Sequence, residues 1–138
     1  MRLFLTLLIS LPLLIKAQQN TVCFNIDPNP NSTTAFNNFT KYINVLDCFG
    51  IYAENSITDQ KVLHAAAVAA ELLDNNEDGI VDDPLIKLQL SNENALIPIF
   101  SYEGSAAENL FFNNYSGNGV SAVLYNNEID PTQTGHWG

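Results

Sequence analysis

Between Asp74 and Asp83 the chain runs DNNEDGIVDD, the one stretch whose residue spacing demands a particular chemistry. Asp74, Glu77, Asp78, Asp82 and Asp83 crowd five carboxylates into ten positions, and each close unscreened pair costs on the order of 1 kcal/mol even in water. Asp74, Asn76 and Asp78 alternate along the backbone, Gly79 follows where the chain must reverse, and Asp82 returns another oxygen. Hard oxygen donors at positions 1, 3, 5 and 9 of a loop, with glycine at 6, suit a calcium ion. Counted from Asp74, the candidate ligands are the side chains of Asp74, Asn76 and Asp78, the Ile80 carbonyl, and Asp82 directly or through water. Position 12 falls on Leu85, where a bidentate glutamate normally sits. Asp83 is the nearest carboxylate that could substitute, and affinity should fall to the weak extracellular range, on the order of 0.1–1 mM. The alternative is a solvated acidic turn in which Asp74 ends one helix and Asp83 caps the next, because Asp, Asn and Gly are ordinary turn residues.

The flanks favour the first reading. DQKVLHAAAVAAELLD, residues 59–74, places Val62, Ala66, Ala69 and Leu73 on one apolar stripe and His64 with Glu71 opposite, the pattern of an amphipathic helix. Thr58 can cap it. After the loop, Asp83 precedes Pro84, an N-cap followed by proline at the first helical position, so PLIKLQLS should be a second short helix. In this helix–loop–helix setting DNNEDGIVDD resembles the calcium loops of EF-hands and of thrombospondin type 3 repeats, with Val81 where EF-hands place an inward aliphatic residue. The wider run HAAAVAAELLDNNEDGIVDDP is similar to a segment of secreted proteins without an assigned activity, loosely from Phe49 to the C-terminus. The resemblance implies a calcium site outside the cell and a sequence that continues beyond Gly138; it assigns no reaction.

The first residues agree with export. Arg2, an apolar run from Leu3 to Ile15 and a small residue at Ala17 form a signal peptide over residues 1–17. The run is too short for an anchor, covering about 20 Å of a hydrocarbon core roughly 30 Å thick. Cleavage leaves Lys41, Lys61 and Lys87 against fifteen carboxylates, a balance that repels nucleic acid and anionic lipid and suits cations. Cys23 and Cys48, the only cysteines, are expected to pair in an oxidising compartment, with free or intermolecular thiols as the alternative. Asn31, Asn38 and Asn114 head N-x-S/T triplets, candidate glycan acceptors in a eukaryotic secreted chain.

Residues 18–34, rich in proline and turn formers, should be an extended lead-in, and residues 35–138 one globular domain. Phe36, Phe39, Ile43 and Leu46 recur at helical spacing, which predicts a helix over residues 35–47. Residues 48–55 and the segment from Ala95 read as strands, the latter pushed toward a sheet edge by Pro98. A helix from Ser105 and a strand from Gly119 complete an α+β fold with a small mixed sheet. No nucleophile elbow, phosphate loop or zinc-protease spacing occurs. Carboxylate pairs such as Glu103 with Glu108, or Glu128 with Asp130, are the remaining candidates for acid–base work. The reading is a secreted calcium-binding protein, with calcium structural or adhesive and an unknown extracellular protein or matrix partner. The alternative is the N-terminal part of a secreted hydrolase or metalloenzyme with its catalytic residues further along.

Overall fold

A five-stranded mixed sheet carries helices on both faces. The computed structural model describes residues 24–132, so the segment expected to be a signal peptide, Cys23 and His136 lie outside the described residues. The strands are β1 (Asp27–Pro28), β2 (Phe39–Val45), β3 (Phe49–Glu54), β4 (Leu96–Phe100) and β5 (Leu124–Tyr125), in that spatial order. β1–β2–β3 pair antiparallel and β3–β4–β5 pair parallel. The connection from β3 to β4 holds α1 (Asp59–Leu73) and α2 (Pro84–Asn92), and that from β4 to β5 holds α3 (Ala106–Asn114).

The helix expected over residues 35–47 is instead a single 3-10 turn, Thr34–Phe36, followed by β2. Phe39, Ile43 and Val45 are buried while Thr40 and Asn44 are exposed, and the aromatic and β-branched side chains of this run fit a pleated surface better than a helix. A bulge between Phe39 and Lys41 shifts the register. It turns Phe39 to the face opposite Ile43 and Val45. The hairpin to β3 turns at Leu46 and Asp47, both at positive φ (48° and 55°), the backbone a type I′ turn requires.

One face of the sheet buries Ile43, Val45, Ile51, Ala53 and Ile99 under α1. The alanines explain the close approach: Ala65, Ala66, Ala69 and Ala70 are all buried along with Val62. Val81, between the two helices, joins this core at 4% exposure. The other face packs Phe36, Phe39, Leu96 and Phe100 against Ala107 and Phe111 of α3. The Phe36, Phe39 and Phe100 rings lie 5.5–5.9 Å from that of Phe111, within the range of favourable edge and tilted aromatic pairs.

β4 is not an edge strand, contrary to expectation, yet Pro98 still obeys the rule behind it. Leu96 N–H donates to Gly119 and the Leu96 and Phe100 carbonyls accept from Ser121 and Asn126. Residues of that parity therefore direct their backbone groups toward β5. Pro98 shares the parity and falls between the Leu96–Val120 bridge and the start of β5, where no ladder donor is needed. The expected strand from Gly119 is reduced to that bridge and to Leu124–Tyr125.

The two crossovers step the same way along the sheet, β3 to β4 to β5, but α1 lies on one face and α3 on the other. They must have opposite hands, although nearly all such connections are right-handed. The chain leaving β3 and the chain leaving β4 consequently part to opposite faces.

Candidate metal centre

α1 ends at Leu73, and Asp74 closes it with its N–H on the Ala70 carbonyl. Asp74 is buried, 2% exposed. Its carboxylate faces back into the loop, accepting the Asp78 N–H at Oδ1 (3.1 Å) and the Gly79 N–H at Oδ2 (2.6 Å). Asn76 Oδ1 also accepts the Asp78 N–H (3.0 Å), and Asp78 Oδ1 accepts the Ile80 N–H (2.9 Å). Glu77 and Gly79 hold the reversal at positive φ, 60° and 86°. The loop closes where Asp82 Oδ2 accepts the Asn75 N–H (3.0 Å) and Asp82 N–H donates to the Leu73 carbonyl (2.8 Å). Val81, pinned in the core, anchors this return.

The sequence-derived ligand set is therefore brought into one loop but unevenly. Asp74 is interior; Asn76, Asp78, Ile80, Asp82 and Asp83 are exposed. Asp83 caps α2 by accepting the Leu85 N–H (2.8 Å), so its carboxylate serves the helix rather than the loop centre. Leu85 projects to solvent at 74% exposure. Among the described residues no three His, Cys, Asp or Glu side chains converge into a group that could hold a metal ion. In donor chemistry the loop fits a hard divalent cation; in arrangement its oxygens are engaged with the loop's own N–H groups.

Lys41 pairs with Asp59 at 2.7 Å, and Lys61 donates to Asn126, so both are engaged away from Asp74. Asp74 is thus a buried carboxylate compensated by backbone N–H dipoles.

Of the four carboxylates considered for acid–base work, Glu108, Glu128 and Asp130 are tied to local structure. Glu108 accepts from Gly104 N–H and from the Tyr125 hydroxyl, the latter at 2.7 Å, and this hydrogen bond pushes the Tyr125 phenol up to about 12. Glu128 accepts the Tyr125 N–H and Asp130 the Thr132 N–H. His64 is half-buried on α1.

Cys48 is buried, its Sγ 3.4 Å from the Val45 carbonyl, and burial pushes its thiol up. The expected partner, Cys23, lies outside the described residues. Of the sequon asparagines, Asn38 and Asn114 are exposed and Asn31 half-buried. Asn31 Oδ1 accepts from both N–H and Oγ of Thr33, while Asn114 Nδ2 donates to the Leu110 carbonyl.

Sequence reasoning missed an open cleft at the ends of β3 and β4, lined by Glu54, Ser101 and Ser105 among others. Only the S-x-x-E cap at Ser105–Glu108, which forms as Ser105 Oγ accepts the Glu108 N–H (3.1 Å), hinted at a helix starting there. Among the described residues no helix is long and apolar enough to cross a membrane. No family model matches the chain, and no curated protein or solved structure matches it either.

Proposed function

We propose that this is a secreted calcium-binding protein in which an EF-hand-like unit, α1–loop–α2, takes up one calcium ion as a structural or adhesive brace. The observation that carries the reading is Asp74: a carboxylate at 2% exposure with no basic partner among the described residues, in a loop whose Asn76, Asp78 and Asp82 side chains offer further oxygens. Burying a charge is costly unless it is paired. A divalent cation supplied by the medium would complete that pairing and relieve the repulsion among its neighbours. Asp74, Asn76, Asp78, the Ile80 carbonyl and Asp82 would hold it, and water would stand where Leu85 offers no oxygen. The one methionine in residues 1–138 is Met1, so α1 and α2 carry none of the methionines with which calcium sensors line a target groove. That favours bracing over signalling.

Calorimetry and thermal unfolding at millimolar calcium test the proposal, using the parent and the Asp74→Ala/Asp78→Ala double variant. With about 2 mM calcium and a dissociation constant near 0.3 mM, ligand linkage stabilises the parent by about 1 kcal/mol. The variant should show neither heat nor shift. A parent with no heat and the same melting temperature in calcium and EDTA would sink the proposal.

A further inference from the structure

The two chain exits that part at β3 and β4 leave an open cleft of about 470 Å³ between them, bordered by Asn38, Glu54, Ser56, Ser101, Tyr102 and Ser105. In open α/β sheets ligands recur in the crevice outside the carboxyl ends of strands where the strand order reverses; here the order does not reverse, but the connections after β3 and β4 likewise leave toward opposite faces. The cleft's size is that of a small-molecule site.

The lining is fixed and chemically two-sided. Glu54, the last residue of β3, is clamped by Ser101 just beyond β4: Oε1 accepts the Ser101 N–H at 2.8 Å, and Ser101 Oγ lies 3.0 and 3.1 Å from the two carboxylate oxygens. Across the cleft α3 begins, and Ala106 and Ala107 of its first turn also line the cavity. Their N–H groups precede the first intrahelical bonds and point toward the helix entrance. Ser105 is 3% exposed and spends its Oγ lone pair on the Glu108 N–H, which leaves the hydroxyl hydrogen to donate. Asn38 and Ser56 can donate and accept. Tyr102, 62% exposed, offers a ring at the rim.

We infer that this cleft binds a small neutral polyol of the monosaccharide class, with adjacent hydroxyls spanning Glu54 and the start of α3. Each hydroxyl both donates and accepts, matching a carboxylate on one wall and N–H donors on the other. An anion is disfavoured by Glu54 and by the net charge of −10. A cation would answer Glu54 but leave the N–H groups at the start of α3 without an acceptor. A zwitterion would set a full negative charge against only the half charge of a helix terminus while losing its hydration.

Amide NMR shift mapping on the full chain, with D-glucose, D-galactose and glycerol, then glycine and inorganic phosphate, tests the inference. Titrations in calcium and in EDTA should agree, because none of these residues belongs to the acidic loop; the calcium proposal and this one therefore fail separately. Saturable shifts at Ser101, Ala106 and Ala107 with a sugar are expected. Glu54→Gln, which keeps an acceptor for Ser101, should weaken binding about tenfold or more through loss of a charge-assisted hydrogen bond. Tyr102→Ala, at an exposed site that leaves the fold intact, should weaken it severalfold and serves if Glu54→Gln does not fold. The inference is overturned if no sugar gives saturable shifts, if glycine or phosphate binds more tightly than every sugar, or if a folded Glu54→Gln or Tyr102→Ala variant binds as the parent does.

Discussion

The Leu85→Glu substitution separates an imperfect calcium loop from an ordinary acidic turn. Leu85 is 74% exposed and sits in the first turn of α2, just after Pro84. Its side chain contributes nothing to the core, and a glutamate there meets the favourable end of the helix dipole, worth about 0.3–1 kcal/mol. Added repulsion from Asp82 and Asp83 offsets that gain, so in EDTA the stability should stay within about 0.5 kcal/mol of the parent, as for other exposed sites. In calcium the outcome differs. A carboxylate at position 12 supplies two oxygens and a full charge, which should tighten binding about 10- to 100-fold, from the extracellular range toward that of sensors. At about 2 mM calcium, a dissociation constant falling from near 0.3 mM to near 0.01 mM raises the linkage term from about 1 to about 3 kcal/mol. For a domain of this length that gain of about 2 kcal/mol lifts the melting temperature by roughly 8 °C. Calorimetric titration gives the affinity and a thermal scan with and without EDTA gives the linkage. If a folded Leu85→Glu protein binds calcium no more tightly than the parent, residue 85 does not face the ion, and the register counted from Asp74 is refuted.

Asp74→Ala should destabilise the protein by about 2–4 kcal/mol even in EDTA, since the N–H groups of Asp78 and Gly79 lose a charged acceptor; a urea midpoint equal to the parent's would contradict this. Gly79 has φ +86° with nothing within 4 Å of an added Cβ, so Gly79→Ala should cost about 1 kcal/mol through backbone strain alone, readable as a shift in the same midpoint. Burial, then the charges of Tyr42 and Tyr115, push Tyr52 from the ordinary tyrosine value of 10.0 up to about 12. Its folded-state affinity for the proton exceeds the unfolded one, so the associated stability is complete below pH 10 and is lost as the pH rises through about 12. Tyr52→Phe should flatten the stability profile across that window; an unchanged alkaline slope would show that Tyr52 is not responsible.

The helices around the acidic loop were legible because each carries its own stop and start signals. Asp83 before Pro84 fixes one boundary and the alanine stripe fixes the buried face of α1. The segment 35–47 was not legible, for a physical reason. Phe36, Phe39, Ile43 and Leu46 satisfy a helical period, but Phe39, Ile43 and Val45 equally satisfy alternation, and in so short a run periodicity cannot arbitrate. The hairpin that decides the matter turns on Leu46 and Asp47 at positive φ, and no glycine or asparagine announces it. Pro98 marked a missing donor correctly, yet which side of β4 lacked a partner depends on a pairing with residues more than twenty positions later. The cleft was invisible in the sequence because Glu54 and Ser101, 47 positions apart, meet only through a parallel crossover. Of the proposed ligand set, the sequence identified the loop and its oxygens but not their current allegiance to backbone N–H groups.

That allegiance suggests where a calcium brace would act. α1 is secured by five buried residues, Val62, Ala65, Ala66, Ala69 and Ala70, whereas α2 buries none of its own. Leu85, Ile86 and Leu88 are all exposed, and only Leu90 leans on the core. α2 is tied at its ends, by Val81 and the Asp83 cap before it and by the Ala95 N–H on the Leu90 carbonyl after it. Segments with few buried apolar contacts open at low free-energy cost. On the proposed reading, an ion held between Asp74, at the end of the well-packed helix, and Asp82, at the threshold of the loose one, stabilises the junction where packing is thinnest. Amide exchange should register this locally: calcium should slow exchange in residues 75–92 while leaving the α1 core and β2–β3 amides unchanged, and uniform slowing across the domain would argue against a local brace.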